Sequence, residues 1–400
     1  MEGKTVLDFI AEGDIPFSPG FGMRPLVLAG RDSLTGQIGR AFRTGPRDPW
    51  FTTVLVGDRG VGKTAVLDAV EKSARESGWA VIHEQAVEKE GLLALLLKDL
   101  VKEAGSLWTR TKKTLANFDI EASLGTNVGV ASAGIKIKSK PAARVPTEIT
   151  RDILRVVGVH AKQQGRGVLL TIDEVQSWTA EGELNALAAA LQIVTKREQL
   201  PVAVIFAGLP VSLEIMSGAG TFFERVTNST VEDLPRESTE YAFLKTAEKR
   251  GVLIEPEALE VLVEGTSGYP YLIQLAGYHA WPPVGSPRVI TADLARDGVS
   301  RARQEMDKLY SGRWEKCSPM EQAYLWAVAE VGESATAKDI AATLKRSTEQ
   351  LGPTRHALIH EHHVLDAAGY GKVVFSLPGF SAWIRSRDPV EIPEYHPRRC

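Results

Sequence analysis

The sequence predicts an α/β chain: a parallel sheet with helices on both faces, then an all-helical segment, then three helices closed by a hairpin. Three observations predict it. Short apolar, β-branched runs alternate with helical spacings through the first half of the chain. One of those runs leads through a glycine loop into a helix. Past residue 236 strand-like runs give way to helical periodicity, with a final pair of short strands around a Gly-Tyr-Gly turn.

The elements follow in order. Residues 1–48 form a lead-in rich in Pro and Gly (PFSPGFGMRP) that ends in a short amphipathic helix, LTGQIGRAF. An α/β core occupies 49–235. Phe51 to Val56 is a buried strand, Trp79 to Gln85 a second, Val168 to Ile172 a third and Pro201 to Ala207 a fourth. Helices over Thr64 to Ser77, Glu90 to Ala104, Pro146 to Lys162 and Glu181 to Lys196 separate them. Such alternation argues a parallel sheet covered on both sides. Within the core, residues 107–144 break the rhythm. They are rich in Gly, Ser and Thr, and they carry Arg110, Lys112, Lys113, Lys136, Lys138, Lys140 and Arg144. This basic insertion reads either as a solvated segment or as an arm that touches nucleic acid or a neighbouring subunit.

Residues 236–310 read as all-helical, with Glu255-Pro256-Glu257 a good helix start. Residues 317–386 read helix, helix, helix, hairpin. Ser318, Pro319 and Glu321 make a capping box for the first helix, and Pro353 should bend the third or delay its start. By pattern this is a winged helix-turn-helix, followed by a tail over 387–400.

Composition bounds the function. The chain has 400 residues, 44% of them apolar and 24% charged, enough for two or three domains with real cores. Net charge is −3, so no global basic field draws the chain to nucleic acid and any such contact must be local. Two cysteines, Cys317 and Cys400, cannot build a disulfide framework, and no C-x-x-C pattern occurs. The acidic N-terminus lacks the features of a signal peptide, and the apolar runs are too short to span a bilayer. A cytoplasmic location with no membrane partner is the expectation.

The chemistry sits in two motifs. Gly57-Asp58-Arg59-Gly60-Val61-Gly62-Lys63-Thr64 fits G-x-x-x-x-G-K-[ST], and Ala65 continues it into the helix. Its glycines let backbone N–H groups curl around an anion, and the helix N-terminus adds partial positive charge. Lys63 can reach the β- and γ-phosphates of ATP, and the Thr64 hydroxyl can ligate Mg²⁺. The second motif, GVLLTIDE, ends a strand in Asp173 and Glu174. In such a fold this strand is expected beside the loop strand, with Asp173 holding magnesium through a water and Glu174 acting as general base. No guanine-reading N-K-x-D occurs, so ATP is the expected nucleotide.

With these motifs the chain is a P-loop NTPase by pattern, and it resembles the AAA+/STAND ATPases over residues 25–385. More narrowly it is similar to the archaeal and bacterial ATPases related to replication initiators. Four stretches carry the narrower resemblance. Gly30-Arg31-Asp32 looks like the segment that lines the adenine pocket. Ala207-Gly208-Leu209-Pro210 ends the fourth strand in the group's way. Thr221 to Arg225 resembles the place of an arginine finger, although Arg225 also reads as an ordinary surface residue. Gly268-Tyr269-Pro270-Tyr271 looks like the lid motif, which implies Tyr269 and Pro270 beside the base. The chain departs from AAA+ motors where they place polar sensors. Here Phe206, Ala207 and Gly208 end the fourth strand, and the lid helix after Pro270 carries no arginine. Slow hydrolysis, with Lys63, Glu174 and Arg225 as the catalytic set, is the implied activity.

Besides a transcription regulator that merely senses ATP, two functional readings follow. In the first, an ATP-dependent switch couples nucleotide state to DNA or nucleoprotein assembly, through self-association and through a winged helix that contacts double-stranded DNA. Lys345, Arg346, Arg355, His356 and the wing residue Lys372 would make those contacts. In the second, a STAND-type signalling or defence adaptor uses the winged helix to pack against the core or to bind a protein partner.

Overall fold

The computed structural model describes residues 15–20, 22–87, 91–107, 147–178, 180, 182–283, 285–332, 335–367, 371–388 and 393. The expected basic insertion, Lys136 to Lys140 included, lies outside the described residues from 108 on. Contacts divide the chain into two compact units. One comprises Arg31–Gly57 and Val66–Val231; the other comprises Met1–Gly30, Asp58–Ala65 and Glu232–Cys400.

The first unit is built on a five-stranded sheet of β1 (Thr52–Val56), β2 (Ala80–Gln85), β3 (Val168–Asp173), β4 (Val202–Gly208) and β5 (Thr227–Thr230). Every pairing is parallel and the order is β2-β3-β4-β1-β5. Its helices are α1 (Asp32–Thr44), α2 (Lys63–Glu76), α3 (Leu92–Leu107), α4 (Thr147–Gln163), α5 (Glu183–Leu191) and α6 (Ser212–Ala219). Alternate strand residues Val54, Ile82, Leu170, Val204 and Phe206 pack with Leu93, Leu96, Ile153, Val157, Leu187 and Leu191 in one core. The opposite set, Leu55, Leu169, Ala203 and Ile205, is equally buried. Burial at both parities is what a parallel sheet covered on both faces requires, and it explains why β1, β3 and β4 read as continuous apolar runs.

Three expectations need correction. The acidic strand β3 does not lie beside β1: β4 stands between them, with Leu170 opposite Val204 and Val54 opposite Phe206. A fifth strand, β5, was not expected. It is an edge strand with alternating half-exposed positions and the sequence TNST, so no apolar run marks it. Finally, the helix over Glu181 to Lys196 is α5 followed by a π-turn over Gln192–Arg197.

The second unit contains α7 (Arg236–Glu248), α8 (Pro256–Thr266), α9 (Pro270–His279) and α10 (Ala292–Trp314). Phe243, Leu262, Ile273, Ala276 and Val299 form their shared core. The lead-in adds Phe17 to it. The ring meets Trp281 edge-on at 5.9 Å, and a Cβ on Gly277 would fall 2.4 Å from it. The segment is not wholly helical: Leu253–Ile254 and Val289–Ile290 pair as two short parallel strands, β6 and β7. The long α10 also runs past the expected boundary at 310, delivering Met306 and Tyr310 to the C-terminal core.

That core joins α11 (Pro319–Val331), α12 (Ala337–Thr343), α13 (Thr348–His360) and α14 (Phe380–Arg385) to an antiparallel pair, β8 (Leu365–Ala367) and β9 (Val373–Phe375). The Ser318–Glu321 capping box forms as expected, with Pro319 in the first turn. Helix α13 begins at Ser347, which makes a second capping box with Gln350, and Pro353 sits inside the helix rather than at its start.

Candidate nucleotide site

Strand β1 delivers the glycine loop. The Gly57 N–H donates to the Gly208 carbonyl at 3.3 Å, which ties the loop entry to the end of β4. Gly60 and Gly62 hold φ of +78° and +94°, left-handed values that a side chain would strain. Val61 is buried, and α2 begins at Lys63. The Lys63 side chain is 7% exposed, and its Nζ donates to the Asp58 carbonyl at 2.8 Å. Lysine and loop are thereby organised around each other, with the N-terminus of α2 adding its dipole. Thr64 follows at an exposed position and Ala65 at a half-buried one.

The acidic pair ends β3. Asp173 is 5% exposed and its Oδ1 accepts the Glu174 N–H at 2.8 Å. Glu174 adopts φ 53°, ψ 39°, a left-handed turn that takes the chain abruptly out of the sheet. Because β1, β4 and β3 are parallel neighbours, Gly57 and Asp173 leave the sheet at the same edge, with the end of β4 between them. Ligands of open α/β sheets collect at that edge.

Gln176 was passed over in the sequence because no spacing rule marks it. Its Oε1 accepts the Leu209 N–H at 3.1 Å and the Ser212 hydroxyl at 3.2 Å, and its Nε2 donates to the Glu174 carboxylate. The sequence offers Phe206, Ala207 and Gly208 at the end of β4, all buried. Gly208 has no space for a side chain: a Cβ would lie 2.2 Å from Ser212 Oγ and 2.6 Å from Gln176 Oε1.

A second polar network links α2, β2 and β3. Glu71, 3% exposed, accepts from Thr171 Oγ1 at 2.6 Å, bonds His83 Nδ1 at 2.7 Å and pairs with Arg75 at 3.1 Å. The bond to Glu71 pushes the His83 imidazole up against the opposing effect of burial, and the charges of Glu71, Asp173 and Asp68 add to the rise. Burial works to raise Glu71, but the bonds from His83 and Thr171 and the nearby positive charges leave it lowered. On the same strand, burial and the neighbouring Asp99 carboxyl push Glu84 up to about 7.

Tyr269 caps α9 and Pro270 opens it. The tyrosine is 7% exposed, its ring lies in the core with Met306 and Tyr310, and its hydroxyl donates to the Arg59 carbonyl of the glycine loop at 3.2 Å. A Cβ on Gly60 would sit 2.2 Å from that hydroxyl oxygen, so glycine is required there twice over. Burial pushes the Tyr269 phenol up, so it stays a donor. Gly30 has φ +66°, and a Cβ there would fall 2.7 Å from Ser238 Oγ and 3.1 Å from Leu234. Arg31 is buried, and Asp32 opens α1 at an exposed position.

Arg225 is exposed on the turn before β5. Among the five C-terminal cations, Lys345, His356 and Lys372 are exposed. The other two are held by their own domain. Arg355 Nη2 donates to the Lys372 carbonyl at 3.4 Å, and the Arg346 guanidinium bonds the Pro393 carbonyl.

Residues 27–205 match the AAA ATPase domain family, and residues 307–384 match a domain of unknown function, DUF8462. No curated protein matches the chain in sequence. Among solved structures, the chain is similar to the Walker-type ATPase PABY2304 of Pyrococcus abyssi, with a TM-score of 0.54 and 16% identity over 90% of this chain and 97% of that one. It is also similar to the Aeropyrum pernix Orc1 protein in complex with DNA, at a TM-score of 0.43 and 15% identity over 92% and 94%. The Thermotoga maritima RuvB Holliday junction branch migration motor matches at 0.41 and 15% over 91% and 96%. The parallel five-stranded sheet and the likeness to PABY2304 show a P-loop NTPase-like fold, and residues 27–205 of it match an AAA ATPase domain.

Proposed function

We propose that the chain binds ATP with magnesium and hydrolyses it slowly, as a switch that couples nucleotide state to assembly on DNA. The observation that carries the reading is the shared sheet edge. A glycine loop with Lys63 at a helix start and the Asp173–Glu174 pair emerge from it, one strand apart. The loop N–H groups and Lys63 would hold the β- and γ-phosphates. The Thr64 hydroxyl and Asp173 carboxylate are hard oxygen donors suited to Mg²⁺, which would neutralise charge on the phosphates. Glu174 would take a proton from the water attacking the γ-phosphorus as the bond to the bridging oxygen breaks, releasing ADP and phosphate. Gly30, Arg31, Asp32, Tyr269 and Pro270 would surround the base. Apolar Phe206 and Ala207 at the end of β4 support a slow rate, since no charged side chain there can sense the γ-phosphate.

In this reading residues 236–310 act as a lid and residues 317–386 as a winged helix, with Lys345, His356 and Lys372 facing DNA phosphates. The adaptor reading retains one observation in its favour: one guanidinium nitrogen of Arg346 already bonds the Pro393 carbonyl and one of Arg355 the Lys372 carbonyl. Nucleotide binding is tested by Lys63→Ala. Loss of a charge-assisted phosphate contact should weaken ATP binding by about 1.5–3 kcal/mol, a tenfold to hundredfold rise in Kd. Equal affinity in variant and wild type would remove the site assignment.

A further inference from the structure

We propose that Gln176 is the positioning residue for Glu174. The inference rests on the reading of Glu174 as the general base. The amide is oriented by its surroundings. The Leu209 N–H can only donate, so the group facing it at 3.1 Å must be the oxygen, and the Ser212 hydroxyl completes the same side at 3.2 Å. The NH₂ is thereby turned to the Glu174 carboxylate, which it meets as a donor.

Three features make this a built arrangement rather than a surface contact. Ser212 is fully buried, and its hydroxyl donates to Gln176 Oε1. Gly208 leaves the space in which the amide sits, and any side chain there would collide with both Gln176 Oε1 and Ser212 Oγ. Glu174 leaves β3 in a left-handed turn whose N–H is taken by Asp173, which fixes where its side chain starts. One end of the Glu174 carboxylate is thus fixed to the backbone just past β4, through a single side chain two residues along. A carboxylate held this way is pre-oriented for proton abstraction, and pre-orientation is a kinetic rather than an affinity effect.

The test is a double-mutant cycle on the full chain, reading magnesium-ATP turnover and, separately, the Kd for a fluorescent ATP analogue. Gln176→Leu keeps the side chain's bulk and removes both hydrogen-bonding ends. It should lower kcat at least tenfold with Kd within about twofold of wild type. In the Glu174→Gln background the same change should have no further effect, because a residue that acts through Glu174 has nothing left to position. Wild-type kcat in Gln176→Leu, while Glu174→Gln is inactive, would overturn the inference and leave the base reading standing. An additional loss in the double variant would also overturn it, since Gln176 would then act elsewhere. Equal turnover in Glu174→Gln and wild type would remove the base reading and this inference with it. If Gln176→Leu fails to melt cooperatively, Ser212→Ala replaces it. Losing one of the two donors that orient the amide should lower kcat several-fold at unchanged Kd, and an unchanged kcat would overturn the proposal.

Discussion

At the scale of single residues, the buried Glu71 carboxylate is met by Thr171, His83 and Arg75, and such partners set a pH dependence. His83 is raised, so its pairing with Glu71 stabilises fully below its ordinary value of 6.5 and is lost as pH rises through the raised one. Glu71 is lowered, so its share is present above 4.5 and is lost only as pH falls through its depressed value. Glu84, pushed up to about 7, adds stability that is complete below 4.5 and gone once pH has risen past 7. His83 and Glu84 therefore both lose stability as pH rises toward and through neutrality. Urea denaturation should give lower stability at pH 8 than at pH 6, and Glu84→Gln should flatten that difference. A midpoint that does not move between the two values would contradict both assignments. The residues that define the phosphate loop were legible in the sequence because a backbone cradle demands glycine at fixed spacing. Gln176 and the Glu71–His83–Thr171 network were not, since Leu209 lies 33 positions from Gln176, and Glu71 lies 12 from His83 and 100 from Thr171.

At the scale of elements, local chemistry announced most of the structure. Apolar β-branched runs located β1, β3 and β4, and the Ser318-Pro319-Glu321 sequence located the start of α11. What stayed hidden was non-local. The insertion of β4 between β1 and β3 is a fact of pairing that no single run contains, and β5 is a polar edge with no periodic signature. Pro353 does not delay the start of α13: a proline past the first turn removes one backbone bond, here to Glu349, and the helix is held by its cap and by buried Leu351 and Leu358. The same C-terminal elements set the strength of any DNA contact. In the proposed DNA reading, Arg346 and Arg355 already bond backbone carbonyls, so exposed Lys345 and Lys372 would carry the attraction. Lys345→Glu with Lys372→Glu should weaken duplex binding uniformly across sequences and make the salt slope shallower by about 2, near 0.9 per phosphate contact. No binding by the full chain at low salt, with and without an ATP analogue, would leave the adaptor reading in place.

At the scale of the whole molecule, the proposed switch needs the nucleotide to change assembly. Arg225 stands exposed after the fourth strand, where a cation from one copy could meet the γ-phosphate of the next. Sedimentation with a non-hydrolysable ATP analogue should reveal oligomers that Arg225→Ala does not form. A chain that stays monomeric at every concentration and nucleotide state would make Arg225 a surface residue and nothing more. The central claim, however, is hydrolysis at the shared sheet edge, and Glu174→Gln tests it most directly. Replacing the carboxylate by an amide keeps the side chain's shape and removes its basicity. Single-turnover hydrolysis of magnesium-ATP should fall by roughly 10²–10⁴-fold, with nucleotide affinity unchanged. Equal rates in variant and wild type would contradict the account.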